Sequence, residues 1–283
     1  MTSVVADDGV ALSVHESGRG YPLLFLHEWA GNYRSWKGQV QYLSQKYHCV
    51  TFDARGYPPS DVPADPGAYS QDRAVADAID VLDSLSIERA HVIGLSMGGY
   101  CALHLGLRHP ERVTALVVAS VGYGAHPERQ AAFRRECHDM SASILAEGME
   151  HFAERYASGP ARIPLKAKDP AGWGEFTSIL SQNSRTGMAM TMRGVQSGRP
   201  SLYDMTAELH LLTLPTLLLV GDLDVEAVEP TKMLARTIPS ATLSVLPRTG
   251  HTINLEEPAR FNQLAEDFLD TIESRGTQAE APQ

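Results

Sequence analysis

Gly94-Leu95-Ser96-Met97-Gly98 sets a serine between two glycines, with a β-rich run, Ala90 to Leu95, before it and a helical pattern opening at Gly98. That is the setting of a nucleophile elbow, a sharp strand-to-helix turn that exposes a serine hydroxyl on strained backbone. The glycines leave room for the turn, and the helix that follows points its amide dipoles at developing negative charge. A serine hydroxyl is a weak nucleophile until a neighbouring base takes its proton. Of the eleven histidines, His15, His48 and His91 lie in or beside strands, His104 and His109 on the helix after the elbow, and His126, His138 and His151 in the middle of the chain. His251 differs, because it follows Thr249-Gly250 in a loop just after the run Thr242 to Leu246. An elbow needs its acid between serine and histidine in the chain. Asp222 and Asp224, directly after the apolar run Pro215 to Val220, both meet that demand. Ser96 would attack a carbonyl, His251 would carry the proton to the leaving group, and the carboxylate would fix the imidazole tautomer. The negative oxygen so formed calls for donors, expected at the Met97 N–H and, in the loop after Pro22 to His27, the Trp29 N–H.

The elements that must hold these groups are legible in two periods. Short β-rich runs recur at Ala11 to Glu16, Pro22 to His27, His48 to Asp53, Ala90 to Leu95, Val113 to Ser120, Pro215 to Gly221 and Thr242 to Leu246. Several are apolar on both faces, which suits parallel strands covered by helices on either side. Asp72 to Leu85, Gly98 to Leu107 and Pro258 to Ile272 carry apolar residues at three- and four-residue steps and read as amphipathic helices. Strand and helix in alternation predict an α/β fold with a mostly parallel central sheet. From Gly122 to Asp204 the rhythm breaks into a helical, loop-rich stretch punctuated by Pro160, Pro164 and Pro170. Inserted between two strands, it falls at the carboxyl edge where open α/β sheets bind ligands, so a helical cap is expected. The division is therefore core at 1–121 and 205–275, cap at 122–204 and a flexible tail at 276–283.

Composition narrows the partners. Lys+Arg 24 against Asp+Glu 34 gives a net charge of -10, which repels phosphate backbones and argues against nucleic acid. The cap stands apart, with ten Lys/Arg and nine Asp/Glu. No apolar run is long enough for a membrane span, and Met1 to Val10 lack the blocks of a signal peptide, so a cytoplasmic protein is expected. Cys49, Cys101 and Cys137 have no CxxC spacing, which points to reduced thiols and to no metal.

Taken together, these blocks resemble the α/β-hydrolase superfamily, from about Val10 to Ile272. The matching stretches are His27 to Gly31, Asp53-Ala54-Arg55-Gly56 with Ser60 and Pro63, the elbow, Gly221 to Asp224, and Gly250-His251 with Glu256 and Pro258. Asp53 to Ser70 and the elbow look most like the esterase, enol-lactonase and cofactor-free haloperoxidase branch. The resemblance implies a hydrolase sheet with a cap and acyl chemistry without a cofactor, and it favours Asp224 over Asp222 as the orienting acid. The implied reaction is cleavage of a small carboxylic ester or lactone through an acyl-enzyme. The alternatives are a carbon–carbon bond hydrolase, an acyltransferase or perhydrolase, and a slow ligand receptor; oligomeric state is open, a homodimer included.

One departure stands out, since the family's oxyanion loop usually reads His-Gly and this chain has His27-Glu28. Glu28 is expected either to turn to solvent or pair with an arginine, or to sit at the pocket rim and disfavour anionic substrates. The pocket is expected to draw on Glu28, Tyr123, Trp173, Phe176 and Met188. Five of nine methionines fall in the cap, where they serve either an adaptable pocket or cap packing. Cap arginines such as Arg134, Arg135, Arg155, Arg185 and Arg193 are carboxylate-binding candidates, with none singled out.

Overall fold

The computed structural model of the chain describes residues 2–279. Its strands are β1 (Thr2–Val5), β2 (Ala11–Ser17), β3 (Pro22–Leu26), β4 (His48–Phe52), β5 (Ala90–Leu95), β6 (Val113–Ala119), β7 (Thr216–Gly221) and β8 (Ala241–Leu246). They form one eight-stranded sheet in the order β1-β2-β4-β3-β5-β6-β7-β8. Strand β2 runs antiparallel to both its neighbours, and every other pairing is parallel.

Successive side chains of a strand point to opposite faces, so a strand apolar at every position needs cover on both. In β3, Leu24 and Leu26 join one core and Leu23 and Phe25 the other. Helices α2 (Gln71–Ser84), α3 (Met97–Arg108) and α10 (Val225–Thr237) close the first core through residues such as Val75, Leu103 and Leu234. On the far side, α1 (Lys37–Leu43) and α12 (Pro258–Ala279) bring Leu43, Phe261 and Leu269. Helix α2 starts where Ser70 accepts from the Arg73 N–H at 3.0 Å, a side-chain cap worth about 1 kcal/mol.

Between β6 and β7 the chain makes the helical insertion: α4 (Pro127–Glu147), α5 (Met149–Ala157), α6 (Ile163–Lys168), α7 (Pro170–Ser181), α8 (Arg185–Thr191), a π-turn at Met192–Gln196, and α9 (Thr206–His210). The cap shares its apolar core with the sheet's upper loops, since Phe152, Leu165, Leu180 and Met188 cluster with Trp29 and Tyr57. The short α11 (Ile253–Glu256) precedes α12.

Strand β1 and, outside the expected cap, helices α1, α9, α10 and α11 were not anticipated. Strand β1 buries Val4 and exposes the rest, too short a pattern to announce itself. Helix α10 carries Pro230 in its interior, which the sequence rules read as a breaker. The last helix reaches Ala279, past the expected start of the tail at 276, and residues 280–283 lie outside the described residues. None of the described helices is long and apolar enough to cross a membrane.

Candidate active site

Parallel β3, β5, β6, β7 and β8 deliver their following loops to one edge of the sheet, and those loops carry Glu28 and Trp29, Ser96, Tyr123, Asp224 and His251 respectively. Ser96 has φ 55 and ψ -110, a conformation that a side chain rarely adopts. Its N–H donates to the Ala119 carbonyl of β6 at 2.8 Å, which holds the turn in place. The flanking glycines are required by contact: a Cβ on Gly94 would stand 2.2 Å from the Gly98 carbonyl oxygen, and one on Gly98 would stand 2.0 Å from that of Leu26.

His251 and Asp224 are both buried, and Nδ1 lies 2.8 Å from Asp224 Oδ2. Because a carboxylate only accepts, the imidazole donates from Nδ1 and keeps its Nε2 lone pair. The second carboxylate oxygen, Oδ1, accepts from the Tyr123 hydroxyl at 3.0 Å, and the Tyr123 ring meets His251 edge-on at 4.9 Å. Burial, then the Asp224 charge, raises the Tyr123 pKa well above its ordinary value, so it stays a donor. Asp222 instead accepts from the Thr249 N–H at 3.1 Å and so braces the loop that leads to His251. Ser96 Oγ forms no hydrogen bond among the described residues, and its elbow opens onto the same cavity as His251.

The loop after β3 is held from three sides. His27 Nε2 accepts from the Ala54 N–H at 3.0 Å, so its Nδ1 carries the proton and donates to the Glu28 carbonyl at 2.7 Å. Burial holds this histidine neutral, its pKa pushed down to about 4. The Glu28 carbonyl also accepts from the Gly31 N–H at 3.1 Å, and the Tyr57 hydroxyl donates to the Trp29 carbonyl at 2.8 Å. In a trans peptide C=O and N–H point opposite ways, so engaging the Glu28 carbonyl turns the Trp29 N–H away from those partners. Neither that N–H nor the Met97 N–H donates to any acceptor among the described residues.

Of the readings of Glu28, pairing with an arginine is the one the structure shows. It neither turns to solvent nor stands at the rim; it is 2% exposed and meets Arg162 of the cap, Oε2 to Nη2 at 2.6 Å and Oε1 to Nη1 at 3.2 Å. Glu28 Oε2 is also 4.0 Å from His251 Nε2. The guanidinium stacks near the rings of Tyr156 and Phe176. Burial alone would lower the Arg162 pKa, but the Glu28 charge raises it.

A cavity of about 390 Å³ opens between loops and cap, lined among others by Ser96, His251, Tyr123, Trp29, Met140 and Arg199. Trp173 and Met188 do not line it. Trp173 Nε1 donates to the Ala157 carbonyl inside the cap, and Met188 is fully buried with its carbonyl accepting from Trp29 Nε1 at 3.3 Å. Phe176 is likewise enclosed beneath Arg162. Arg162 and Arg199 were not foreseen, since their burial depends on partners far apart in the chain. Arg134, Arg135, Arg155, Arg185 and Arg193 are exposed. Glu256, noted only as part of a motif block, grips the loop on both sides of His251: it accepts from the Gly250 N–H at 2.6 Å and the Thr252 N–H at 3.1 Å. No cluster of three or more histidine, cysteine or acidic side chains among the described residues is placed to hold a metal ion.

A family model described as alpha/beta hydrolase fold matches residues 21–157. A 2-hydroxymuconate semialdehyde hydrolase of Pseudomonas putida is 30% identical over 277 residues, 92% of this chain and 91% of that one. 3-Oxoadipate enol-lactonase 2 of Acinetobacter baylyi is 27% identical over 248 residues, 87% of this chain and 88% of its own. The crystal structure of a hydrolase from Pseudomonas aeruginosa PA01 superposes with a TM-score of 0.82 at 26% identity, covering 95% of this chain and 97% of that chain.

Proposed function

The chain belongs to the α/β-hydrolase superfamily, and from that premise we propose that it is a serine hydrolase that cleaves a small carboxylic ester or lactone through an acyl-enzyme. The observation that carries this reading is the 2.8 Å contact of His251 Nδ1 with Asp224, facing a cavity shared with a serine held at φ 55. Ser96 Oγ attacks the carbonyl, and Nε2 of His251 takes its proton and returns it to the leaving oxygen. Asp224 holds the tautomer and faces the imidazolium as it forms. The free N–H groups of Trp29 and Met97 receive the tetrahedral oxyanion, each donor worth about 10²- to 10³-fold in turnover. A water then repeats the attack on the acyl-enzyme, with His251 as its base.

The test is a panel of aryl esters of short, medium and long acyl groups and of simple lactones, with Ser96→Ala beside the wild type. Turnover with an early burst, lost about 10⁴-fold or more in the variant, is the expected result. Turnover that survives in Ser96→Ala would overturn it.

A second reading keeps the triad and changes the bond. The 30% identical relative is named for a semialdehyde, a substrate with no ester to cleave, which favours hydrolysis of a carbon–carbon bond beside a ketone. Folded protein inert on every ester and lactone but active on such a ketone would decide for it.

A further inference from the structure

Four arginines line the cavity around Ser96, and three of them already have carboxylates. Arg129 pairs with Glu136 at 3.3 Å, Arg155 with Glu147, and Arg162 with Glu28 at 2.6 Å. Arg199 has no carboxylate within ion-pair distance among the described residues. Yet it is 5% exposed, whereas Arg129 and Arg155 are exposed. A cation taken out of water without a counter-charge is costly, and folded proteins rarely leave one so.

Its neighbours hold it without neutralising it. Nη2 donates to the Tyr123 carbonyl at 2.6 Å and Nη1 to Gln196 Oε1. The guanidinium carbon stands 3.8 Å from the centre of the Tyr100 ring and 5.2 Å from that of Phe133. Two rings and two acceptors fix the plane of the fork. Of five N–H donors only two are engaged, and a planar fork with spare donors matches a carboxylate edge. Burial pulls the Arg199 pKa below its ordinary value, the reverse of Arg162 beside Glu28. Tyr123 joins this arginine to the triad, accepting from Arg199 through its carbonyl and donating to Asp224 through its hydroxyl.

We propose that Arg199 binds a carboxylate carried on the acyl part of the substrate, so that the enzyme acts on half-esters and lactones of dicarboxylic acids. This rests on the serine-hydrolase reading of the same cavity. The acyl part is assigned because Arg199 is buried: the alcohol of an ester must leave toward solvent while the acyl group stays on Ser96, and the oxygen released from a lactone remains attached to that acyl group. The Arg162–Glu28 pair does not compete, since its charges already satisfy each other.

The experiment compares 4-nitrophenyl half-esters of glutaric and adipic acid with the same esters methylated on the distal carboxylate. Wild type is expected to favour the acids by about tenfold or more in kcat/KM. In Arg199→Gln that ratio is expected to collapse by about tenfold, and Arg199→Lys to keep part of it. Taking the ratio on one preparation removes any loss of folded protein. A wild type that prefers the methylated esters, or a ratio that Arg199→Gln leaves unchanged, would overturn the proposal. Should neither series be turned over, the hydrolase reading fails separately, and binding decides for Arg199: glutarate raises the thermal midpoint of wild type and not of Arg199→Gln if the anchor exists. No rise in wild type would sink it.

Discussion

Arg162 of the cap and Glu28 of the loop after β3 form a buried ion pair bonded at both ends, 2.6 Å and 3.2 Å, in the cavity wall beside His251. The residue that departs from the family's usual glycine is thus matched by a cap residue that supplies its counter-charge. The tie is reinforced next door, where the His251 N–H donates to the Ala161 carbonyl at 3.3 Å. The segment Pro160–Arg162 therefore fastens the cap to two of the loops that build the site.

Breaking that pair on one side leaves a charge buried and alone. Arg162→Met is expected to lose about 3–5 kcal/mol of stability, while Glu28→Gln with Arg162→Met loses less than the two single changes summed. A double-mutant cycle by urea unfolding measures it. Additive losses would show that the two residues do not act as a pair.

Asp224 works through its charge as well as its position. Asp224→Asn keeps the size but turns an amide toward Nδ1, favouring the wrong imidazole tautomer. Turnover is expected to fall about 10⁴-fold with the fold retained, read as kcat on the best aryl ester beside a circular-dichroism melt. Asp222→Asn, whose target is the Thr249 N–H, is expected to retain most activity. Equal losses from both would remove the distinction between the two aspartates.

Glu256 is a positioning residue. Its two oxygens take the N–H groups before and after His251, and Gln offers only one oxygen for both. Glu256→Gln is expected to lower kcat by about tenfold to a hundredfold with little change in KM, because a displaced base fails in the transition state and not in binding. A loss confined to thermal midpoint, with kcat intact, would make Glu256 structural only.

The contrast between these residues shows what a sequence can display. Ser96, Asp224 and His251 each follow an apolar strand, and local motifs mark those places. Of the seven strands read, β3, β5, β6 and β7 are apolar runs buried on both faces, whereas β8 buries only Leu246 and was legible from its alternating apolar residues, and β1 buries only Val4. Arg199 and Arg162 had no such mark. What singles them out is burial that only the folded chain creates: Arg199 between Tyr100 of the core and Phe133 of the cap, and Arg162 against Tyr156 and Phe176 of the cap with Glu28 of the core. Met188 and Trp173 failed as lining residues for the same reason: the cap's apolar residues divide between its own core and the cavity, and composition is blind to that division.

Buried titratable groups give the fold its pH dependence. Burial pushes His27, His91 and His104 each down to about 4, from 6.5 in the unfolded chain. As pH falls from 6.5 toward 4 the unfolded chain takes up these protons and the folded one does not, so stability drops. Asp53 opposes this. Burial pushes it up to about 7 from 3.8, so the folded state takes up its proton first, and its contribution grows as pH falls through 7 and is lost as pH rises. Burial also lowers His15, on the side of the other histidines, and raises Asp77 and Glu256, on the side of Asp53; with four histidines against three carboxylates, acid is expected to destabilise the protein below about pH 6.5. Asp53→Asn keeps an oxygen for the Tyr33 N–H and removes one opposing group, so the drop in thermal midpoint from pH 8 to pH 5 should be larger than in wild type. An unchanged drop would mean that Asp53 is ionised in the fold at pH 5.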